Sequence, residues 1–224
     1  AISLKTGDSD FYLDKQYYTH TRSEKDKKTR NKNVLFFNTR FFAGLTSDEE
    51  KLRRDVVKHP ELKEYRRGGT RQNNVLPVWA AFSYFEMGTI VMLYSYLRGD
   101  LRKEVLNYTY PGNNYKKETT KQMDTWLDAI RNLRNYCAHH SMLAGMTSSV
   151  VIPDNRDSSD VLPDNTNLYS RLYALKKILP QKDGDMLAEE LDKLIWKTKL
   201  DIYKMNILPT NWRALYNKIL SLHG

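Results

Sequence analysis

The sequence predicts an all-α protein, and three observations lead to that fold class. Apolar residues recur at steps of three and four along several segments, which is the spacing of one buried face of a helix. Capping boxes and prolines mark where those helices begin and end. The one apolar piece of the polar stretch over residues 146–166, Val150–Ile152, is too short to predict a strand. We therefore expect about six to eight helices, long loops and little or no sheet.

Residues 1–75 are predicted to form peripheral loops and one helix. Ser47 and Glu50 have the spacing of a capping box, so a helix should run from there to about Lys58. Residues 22–32 are charged without an apolar stripe, which predicts a solvated loop. A second basic loop follows the helix and contains three arginines that could contact phosphate or RNA: Arg66, Arg67 and Arg71.

The segment from Leu76 to Leu97 is long and mostly apolar, with Glu86 as its only charged residue. A membrane-spanning helix needs about 20 consecutive apolar residues. This segment contains several polar side chains, and a glutamate is costly in lipid. Gly88 and Thr89 look like a break between two helices. We therefore predict a pair of core helices here and no membrane span.

A longer helix completes the central region, residues 76–145. Thr119 and Gln122 form a second capping box, and the helix after it carries an apolar stripe that extends to Cys137. Gly145 should stop this helix. Cys137 lies on the apolar stripe, so we expect its thiol in the core.

Residues 146–224 are predicted to form a polar loop and the C-terminal helices. The loop covers residues 146–166, which are rich in Ser, Asp, Asn and Pro. Three helices follow, over residues 167–179, 184–204 and about 212–222. Together with the preceding regions they are predicted to form a single helical domain over residues 1–224.

The charge balance favours polyanionic partners. The chain has 36 basic and 27 acidic residues, a formal net charge of +9 and a pI near 9.4. Such an excess attracts nucleic acid, although membrane surfaces and acidic proteins also attract cations. The single cysteine allows no internal disulfide, and no signal peptide opens the chain. We therefore expect a soluble, cytoplasmic protein.

Neither a metal site nor a bound cofactor is expected. His139 and His140 are neighbours and point apart on a helix, without an acidic residue or a cysteine in ligand register. The chain contains no phosphate-binding loop, no dinucleotide-binding glycine motif and no nucleophile elbow.

A polar stripe on the central helix is the candidate functional site. Arg131, Asn135 and His139 are each four residues apart, so they share one face, and the long side chain of Arg134 can swing toward them. His140 adds a second imidazole. An alternative reading is structural, because the arginines could pair with acids such as Asp124 or Asp128 and the histidines could cap the helix end.

These side chains suit the cleavage of RNA, in which the substrate supplies its own 2′-hydroxyl nucleophile. Histidine titrates near neutral pH and can act as a general base or acid. Arginine keeps its charge and binds phosphate oxygens in a bidentate manner. Asparagine can orient the imidazole or the phosphate. One helix supplies half of such a site, and two protomers at a twofold axis would supply two sets.

The residues around this stripe carry a family resemblance. Arg134 to His139 resembles the R-x4-6-H motif of HEPN (higher eukaryotes and prokaryotes nucleotide-binding) ribonucleases. The segments flanking the motif are similar to the abortive-infection (Abi) family of phage-defence proteins, and the similarity runs over almost the whole chain. These segments are Phe11-Tyr12-Leu13-Asp14, Leu76-Pro77-Val78-Trp79, Glu86-Met87-Gly88-Thr89, Leu93-Tyr94-Ser95-Tyr96-Leu97, Trp126-Leu127, Cys137-Ala138-His139-His140 and Leu208-Pro209-Thr210-Asn211-Trp212.

The resemblance implies a HEPN-like helical bundle with additional helices, homodimerisation near the motif and metal-independent RNA cleavage by a toxin of phage defence. Arg134 matches the motif arginine, His139 matches its histidine, and Asn135 matches the polar residue often found beside the arginine. His140 fits the longer spacing. Arg131 lies outside the motif and is expected to help bind RNA. An RNA or protein antitoxin is the further partner that the resemblance implies.

This chain departs from the family pattern at two places. The family often has an arginine and an aromatic residue after the histidines, whereas this chain has Ser141-Met142-Leu143. That difference bears on substrate preference more than on Arg134 and His139. The chain also begins at Ala1 as if within a helix, so the family's N-terminal helices are expected to be absent. Because some HEPN proteins only bind or regulate, a non-catalytic RNA- or partner-binding module is the alternative.

Overall fold

The computed structural model describes residues 1–19, 39–55, 58–65, 75–112, 115, 117–152, 162–199 and 201–223. Within these residues it contains nine α-helices, three 3-10 helices and no β-strand, so the all-α prediction is confirmed. Residues 22–32 and the loop arginines Arg66, Arg67 and Arg71 lie outside the described part of the chain.

The chain divides into two compact units, Ala1–Thr109 and Tyr110–Gly224. The prediction of one domain, with regions divided near residues 75 and 145, stays a prediction. The first unit has five described α-helices, which are α1 (Ile2–Thr6), α2 (Thr39–Arg54), α3 (Val78–Ala81), α4 (Met87–Tyr96) and α5 (Gly99–Thr109). Its 3-10 helices cover Phe11–Leu13, Lys15–Tyr17 and Pro60–Tyr65.

Buried hydrogen bonds join distant segments of the first unit. The hydroxyl of Tyr12, which is fully buried, donates to the backbone carbonyl of Leu76 over 2.8 Å. The Leu76 amide donates over 2.8 Å to the carboxylate of Glu49 on α2. Tyr18 in turn donates to the Tyr12 carbonyl over 2.7 Å. Residues far apart in sequence are thus tied together by polar groups that burial would otherwise leave unpaired.

The helix start predicted at Ser47 is wrong. Ser47 and Glu50 lie inside α2, which is already under way before them and ends before Lys58. The N-terminal part of α2 buries Leu45, and the next turn buries Glu49. The capping-box spacing was therefore fortuitous, because the serine and glutamate occupy neighbouring turns of an established helix.

The apolar segment after Leu76 forms α3 and α4, as the helix-pair prediction requires, but the break is earlier than predicted. It lies over residues 82–86, where the extended backbone of Glu86 (φ −60°, ψ 145°) precedes α4. Gly88 and Thr89 lie in the first turn of α4, where amides have no helical partner and a glycine is tolerated. In the described residues, none of the helices combines the length and apolar character needed to cross a bilayer.

The second unit is built around a buried helix. Its described α-helices are α6 (Lys117–Ala138), α7 (Leu168–Ile178), α8 (Gln181–Thr198) and α9 (Trp212–Asn217). α7 contacts each of the other three, and nine of its residues are buried. Asn167 caps α7 by accepting a hydrogen bond from the Ser170 amide over 3.2 Å. Because α6 packs on this central helix, α7 fixes the position of the predicted motif.

Helix ends in the second unit differ from the predicted ones. α6 begins at Lys117, before the proposed cap at Thr119, and ends at Ala138 instead of Gly145. α7 agrees closely with its prediction, whereas α8 starts and ends earlier and α9 is shorter. Val150–Ile152 forms no strand; its Ile152 amide bonds to the Asn165 carbonyl over 3.2 Å.

Candidate functional site at the end of helix α6

The C-terminal end of α6 carries the predicted site. Toward its middle, α6 buries Trp126 and Ala129, and Leu133 is half-buried. Arg134 and every residue from 137 to 140 are exposed. The apolar face therefore anchors the helix, and its last turn presents polar side chains to solvent.

A tight hydrogen-bonded turn ends α6. His140 adopts a left-handed backbone conformation with φ 52°. The His140 amide bonds to the Cys137 carbonyl over 3.1 Å, and the Ser141 amide bonds to the Tyr136 carbonyl over 2.9 Å. This pair of bonds is the Schellman pattern, in which the left-handed position is usually glycine. Here the position carries an imidazole, and Gly145 takes no part in ending the helix.

Arg134 and Arg131 have different environments although they are three residues apart. Arg131 donates to the Asp128 carboxylate, with its Nε 2.8 Å from Oδ1. Arg131 thus has one of the acidic partners that the structural reading named, and its role in RNA binding stays a prediction. Arg134 is exposed, and its Nη1 lies 3.3 Å from Oδ1 of Asn135. No ion pair joins Arg134 to another described residue.

Cys137 is exposed, so the prediction that its thiol lies in the core is wrong. The stripe of apolar residues continues to Cys137 in sequence, but no described residue covers the last turn of α6 on that side. His139 and His140 follow directly and are also exposed. Two imidazoles and a thiol therefore meet solvent within four residues of the chain.

A buried arginine beneath α6 was missed in the sequence. Arg171 on α7 is fully buried, and its Nε lies 3.4 Å from Oδ1 of Asn132 on α6. Its Nη2 lies 2.5 Å from the Val150 carbonyl, and its Nη1 lies 3.3 Å from the Asn165 carbonyl. The spacing of the leucines on α7 predicts a buried helical face, but nothing in the sequence predicts that Arg171 is buried with them.

Burial lowers the pKa of the Arg171 guanidinium from its ordinary value, while the nearby carboxylates of Asp128 and Asp164 act in the opposite direction. Asp128 and Asn132 lie four residues apart on α6, on a stripe adjacent to Arg131 and Asn135. The stripe with Asp128 and Asn132 thus faces the buried guanidinium of Arg171, and the neighbouring stripe carries the candidate site.

No group of three His, Cys, Asp or Glu side chains in the described residues is arranged to hold a metal ion. In a comparison with known protein families, the model of the family described as "Abi-like protein" matches residues 1–144. The chain belongs to the Abi-like protein family. No curated protein and no solved structure matches it.

Within this Abi-like chain, the family match includes α1 to α6 and ends just after the two histidines. The resemblance to the Abi family is therefore confirmed over residues 1–144, whereas the similarity at Leu208–Trp212 lies beyond the match and stays a prediction. The R-x4-6-H motif, with Arg134 and His139 as its members, stays a prediction. The helices α7 to α9, including buried Arg171, lie beyond the matched residues.

Proposed function

We propose that the chain is a metal-independent endoribonuclease that acts as a toxin in abortive-infection phage defence. The observation that carries this proposal is the state of Arg134, which is exposed and has no ion-pair partner among the described residues. A purely structural role would require this arginine to be buried in an ion pair. Membership of the Abi-like family supports the role in phage defence.

The proposed reaction is transesterification at an RNA phosphate. His139 acts as general base and removes the proton of the 2′-hydroxyl, whose oxygen forms a bond to phosphorus. The bond from phosphorus to the 5′-oxygen breaks, and that oxygen takes a proton from a general acid, for which His140 or a partner's imidazole is suited. The products are a 2′,3′-cyclic phosphate and a free 5′-hydroxyl.

Arg134 binds the non-bridging oxygens of the phosphate and stabilises the charge that develops there. Asn135 positions the guanidinium, because its amide oxygen lies 3.3 Å from Arg134 Nη1. Arg131 is assigned a lesser part in binding RNA, since Asp128 already neutralises its charge. Arg66, Arg67 and Arg71 remain candidate RNA contacts.

A homodimer with a composite active site is part of the proposal. One α6 end presents a single set of Arg134, Asn135 and His139, whereas the reaction needs a base, an acid and positive charge around one phosphate. Two protomers that meet at a twofold axis supply both sets. A toxin that cuts cellular RNA must also be restrained, and we assign that task to an RNA or protein antitoxin.

Purified protein incubated with RNA in EDTA tests the chemistry. We expect cleavage at an undiminished rate and products that end in a 2′,3′-cyclic phosphate, because every proposed group is a side chain of this protein. Cleavage that appears only after a divalent metal is added, or products that carry a 3′-hydroxyl, would contradict the mechanism.

The alternative function is a non-catalytic module that binds RNA or a partner, and the net charge of +9 favours it because polyanion binding needs no chemistry. His139→Ala separates the two functions. An inactive, folded variant that still binds RNA and no longer arrests growth supports the enzyme. Unchanged growth arrest by this variant supports the module.

A further inference from the structure

A basic–aromatic surface lies at the end of α8 and in the turn that follows it. We define it by Trp196, Lys197, Lys199, Tyr203 and Lys204, all of which are exposed. Trp196 is 83% exposed, more than any other large hydrophobic side chain in the described residues. Tyr203 is 48% exposed. Tryptophan and tyrosine combine a large apolar ring with a polar group, which suits both side chains to binding surfaces.

The backbone beneath this surface is well anchored. Ile202 is buried, and the Ile207 amide bonds to its carbonyl over 2.8 Å. The Met205 amide bonds to the Asp201 carbonyl over 3.0 Å, and the Asp201 side chain accepts a hydrogen bond from the Lys204 amide over 3.0 Å. Tyr203 and Lys204 therefore project from a turn with a fixed backbone.

Lys199 occupies a left-handed backbone position, with φ 54°, at the end of α8. Glycine is the residue that adopts this conformation without steric cost. A lysine at this position puts a charged side chain three residues after Trp196, although the backbone conformation is strained for a residue with a Cβ. A binding function of the Lys199 side chain would account for this backbone strain.

The lysines of the surface keep their charge available. Lys193, one turn earlier on α8, pairs with Glu190 over 2.7 Å. In contrast, no ion pair joins Lys197, Lys199 or Lys204 to any other residue that the structure describes. Three ammonium groups thus lie within eight residues of the chain, close in sequence to two exposed aromatic rings and to one exposed carboxylate, that of Asp201.

We propose that the basic–aromatic surface binds single-stranded RNA. Bases stack on Trp196 and Tyr203, and phosphates contact Lys197, Lys199 and Lys204, which is the combination that single-strand binding requires. A protein partner fits less well, because lysine is depleted at the centres of protein interfaces. Duplex RNA also fits less well, because its bases are stacked on each other and offer no free faces.

The surface lies outside the residues matched by the family, 1–144, and away from the α6 motif in sequence. The inference shares with the proposed function only the class of ligand, RNA. It concerns binding, so its test measures affinity, whereas the proposed function is tested by cleavage. A chain that binds RNA through Trp196 but never cuts it would refute the ribonuclease and leave this inference intact.

The test measures fluorescence anisotropy of a labelled single-stranded oligouridylate with the full chain. Every protein carries His139→Ala, so that the strand stays uncut. We expect Trp196→Ala to weaken binding by about 5- to 150-fold, the loss that corresponds to one stacked base. Trp79→Ala is the matched control, because Trp79 is also exposed (61%) but lies on α3 without adjacent lysines. It should bind as the parent does.

The lysines are tested in the same assay through its salt dependence. Replacing Lys197, Lys199 and Lys204 by Ala should reduce the slope of log affinity against log salt by about 0.7 for each lost phosphate contact. Equal affinity of Trp196→Ala and its parent would overturn the proposal. Equal losses of affinity for single-stranded and for duplex RNA would also overturn it. A Trp196→Ala variant whose oligomeric state changes in sedimentation, while its RNA affinity stays the same, would overturn it as well.

Discussion

The Nε atom of Arg171 on α7, a residue that is fully buried, lies 3.4 Å from Oδ1 of Asn132 on α6. The same guanidinium bonds to the carbonyls of Val150 and Asn165. One buried cation therefore connects the motif helix to α7 and to the two ends of the intervening loop. This connection adds to the packing of α6 on α7, which positions the exposed end of α6.

We predict that Arg171→Met destabilises the protein by about 1–3 kcal/mol, because the Val150 and Asn165 carbonyls lose their partly buried hydrogen bonds to the guanidinium. Urea unfolding measures the change as a lower midpoint at constant m-value. Arg171→Lys should recover only part of the loss, since one ammonium cannot reach acceptors on three sides. A midpoint unchanged in Arg171→Met would show that the buried guanidinium contributes nothing to stability.

A second prediction concerns Glu49, and the neighbouring Glu50 serves as its control. Its carboxylate is buried and accepts hydrogen bonds from the Leu76 amide (2.8 Å) and from Nε of Arg53 (2.7 Å). Glu49→Ala should cost about 1–3 kcal/mol in the free energy of unfolding, because both donors lose their acceptor. Glu50→Ala removes only a solvent-exposed pair with Arg54 and should cost less than about 1 kcal/mol. Equal losses in urea unfolding would refute this contrast.

The left-handed backbone of His140 predicts an unusual ranking of variants. Glycine adopts φ 52° freely, whereas a residue with a Cβ is strained there by about 1–2 kcal/mol. We therefore expect His140→Gly to be more stable than His140→Ala by about 1 kcal/mol, as measured by thermal unfolding. At ordinary helical positions the order is the reverse. A more stable alanine variant would mean that the turn after α6 does not have this conformation in solution.

Asp185 predicts a dependence of stability on pH. The hydrogen bond from Lys176, which is fully buried, lowers the pKa of the Asp185 carboxyl. A carboxyl with a lowered folded pKa contributes stability above its unfolded pKa of about 4, and that contribution is lost as the pH falls through the folded pKa. Lys176 then loses its partner.

The pH dependence of unfolding should therefore be flatter below about pH 4 in Asp185→Asn than in the wild-type protein. Asp183→Asn, which removes an exposed carboxylate from the same helix, controls for the loss of one negative charge. Parallel curves for Asp185→Asn and the wild type would contradict a contribution from the Lys176–Asp185 pair.

The fold class and most helices follow from the sequence, because apolar spacing reports directly on a buried helical face. α7 is predicted within a residue at each end for that reason. Helix ends were less predictable, as at Ser47, because a capping spacing also occurs inside helices. The end of α6 depended on a left-handed histidine where the sequence offered Gly145 as the expected stop.

The sequence did not predict which charged side chains would be buried. Glu49 and Arg171 are enclosed because distant backbone groups, at Leu76 and Val150, supply their hydrogen bonds. Such partners are brought together only by the tertiary fold. The same limit applies to the site, where the spacing placed Arg131 and Arg134 near each other but did not decide which of them would pair with Asp128.

The most direct test of the central claim compares Arg134→Ala with Arg131→Ala in RNA cleavage by the purified protein in EDTA. We expect Arg134→Ala to lower the cleavage rate by about 10²–10³-fold, because the scissile phosphate loses its stabilising charge. Arg131→Ala should lower it by less than about tenfold, because Asp128 already holds that guanidinium. Equal effects, or a larger loss in Arg131→Ala, would contradict the assignment of Arg134 to the active site.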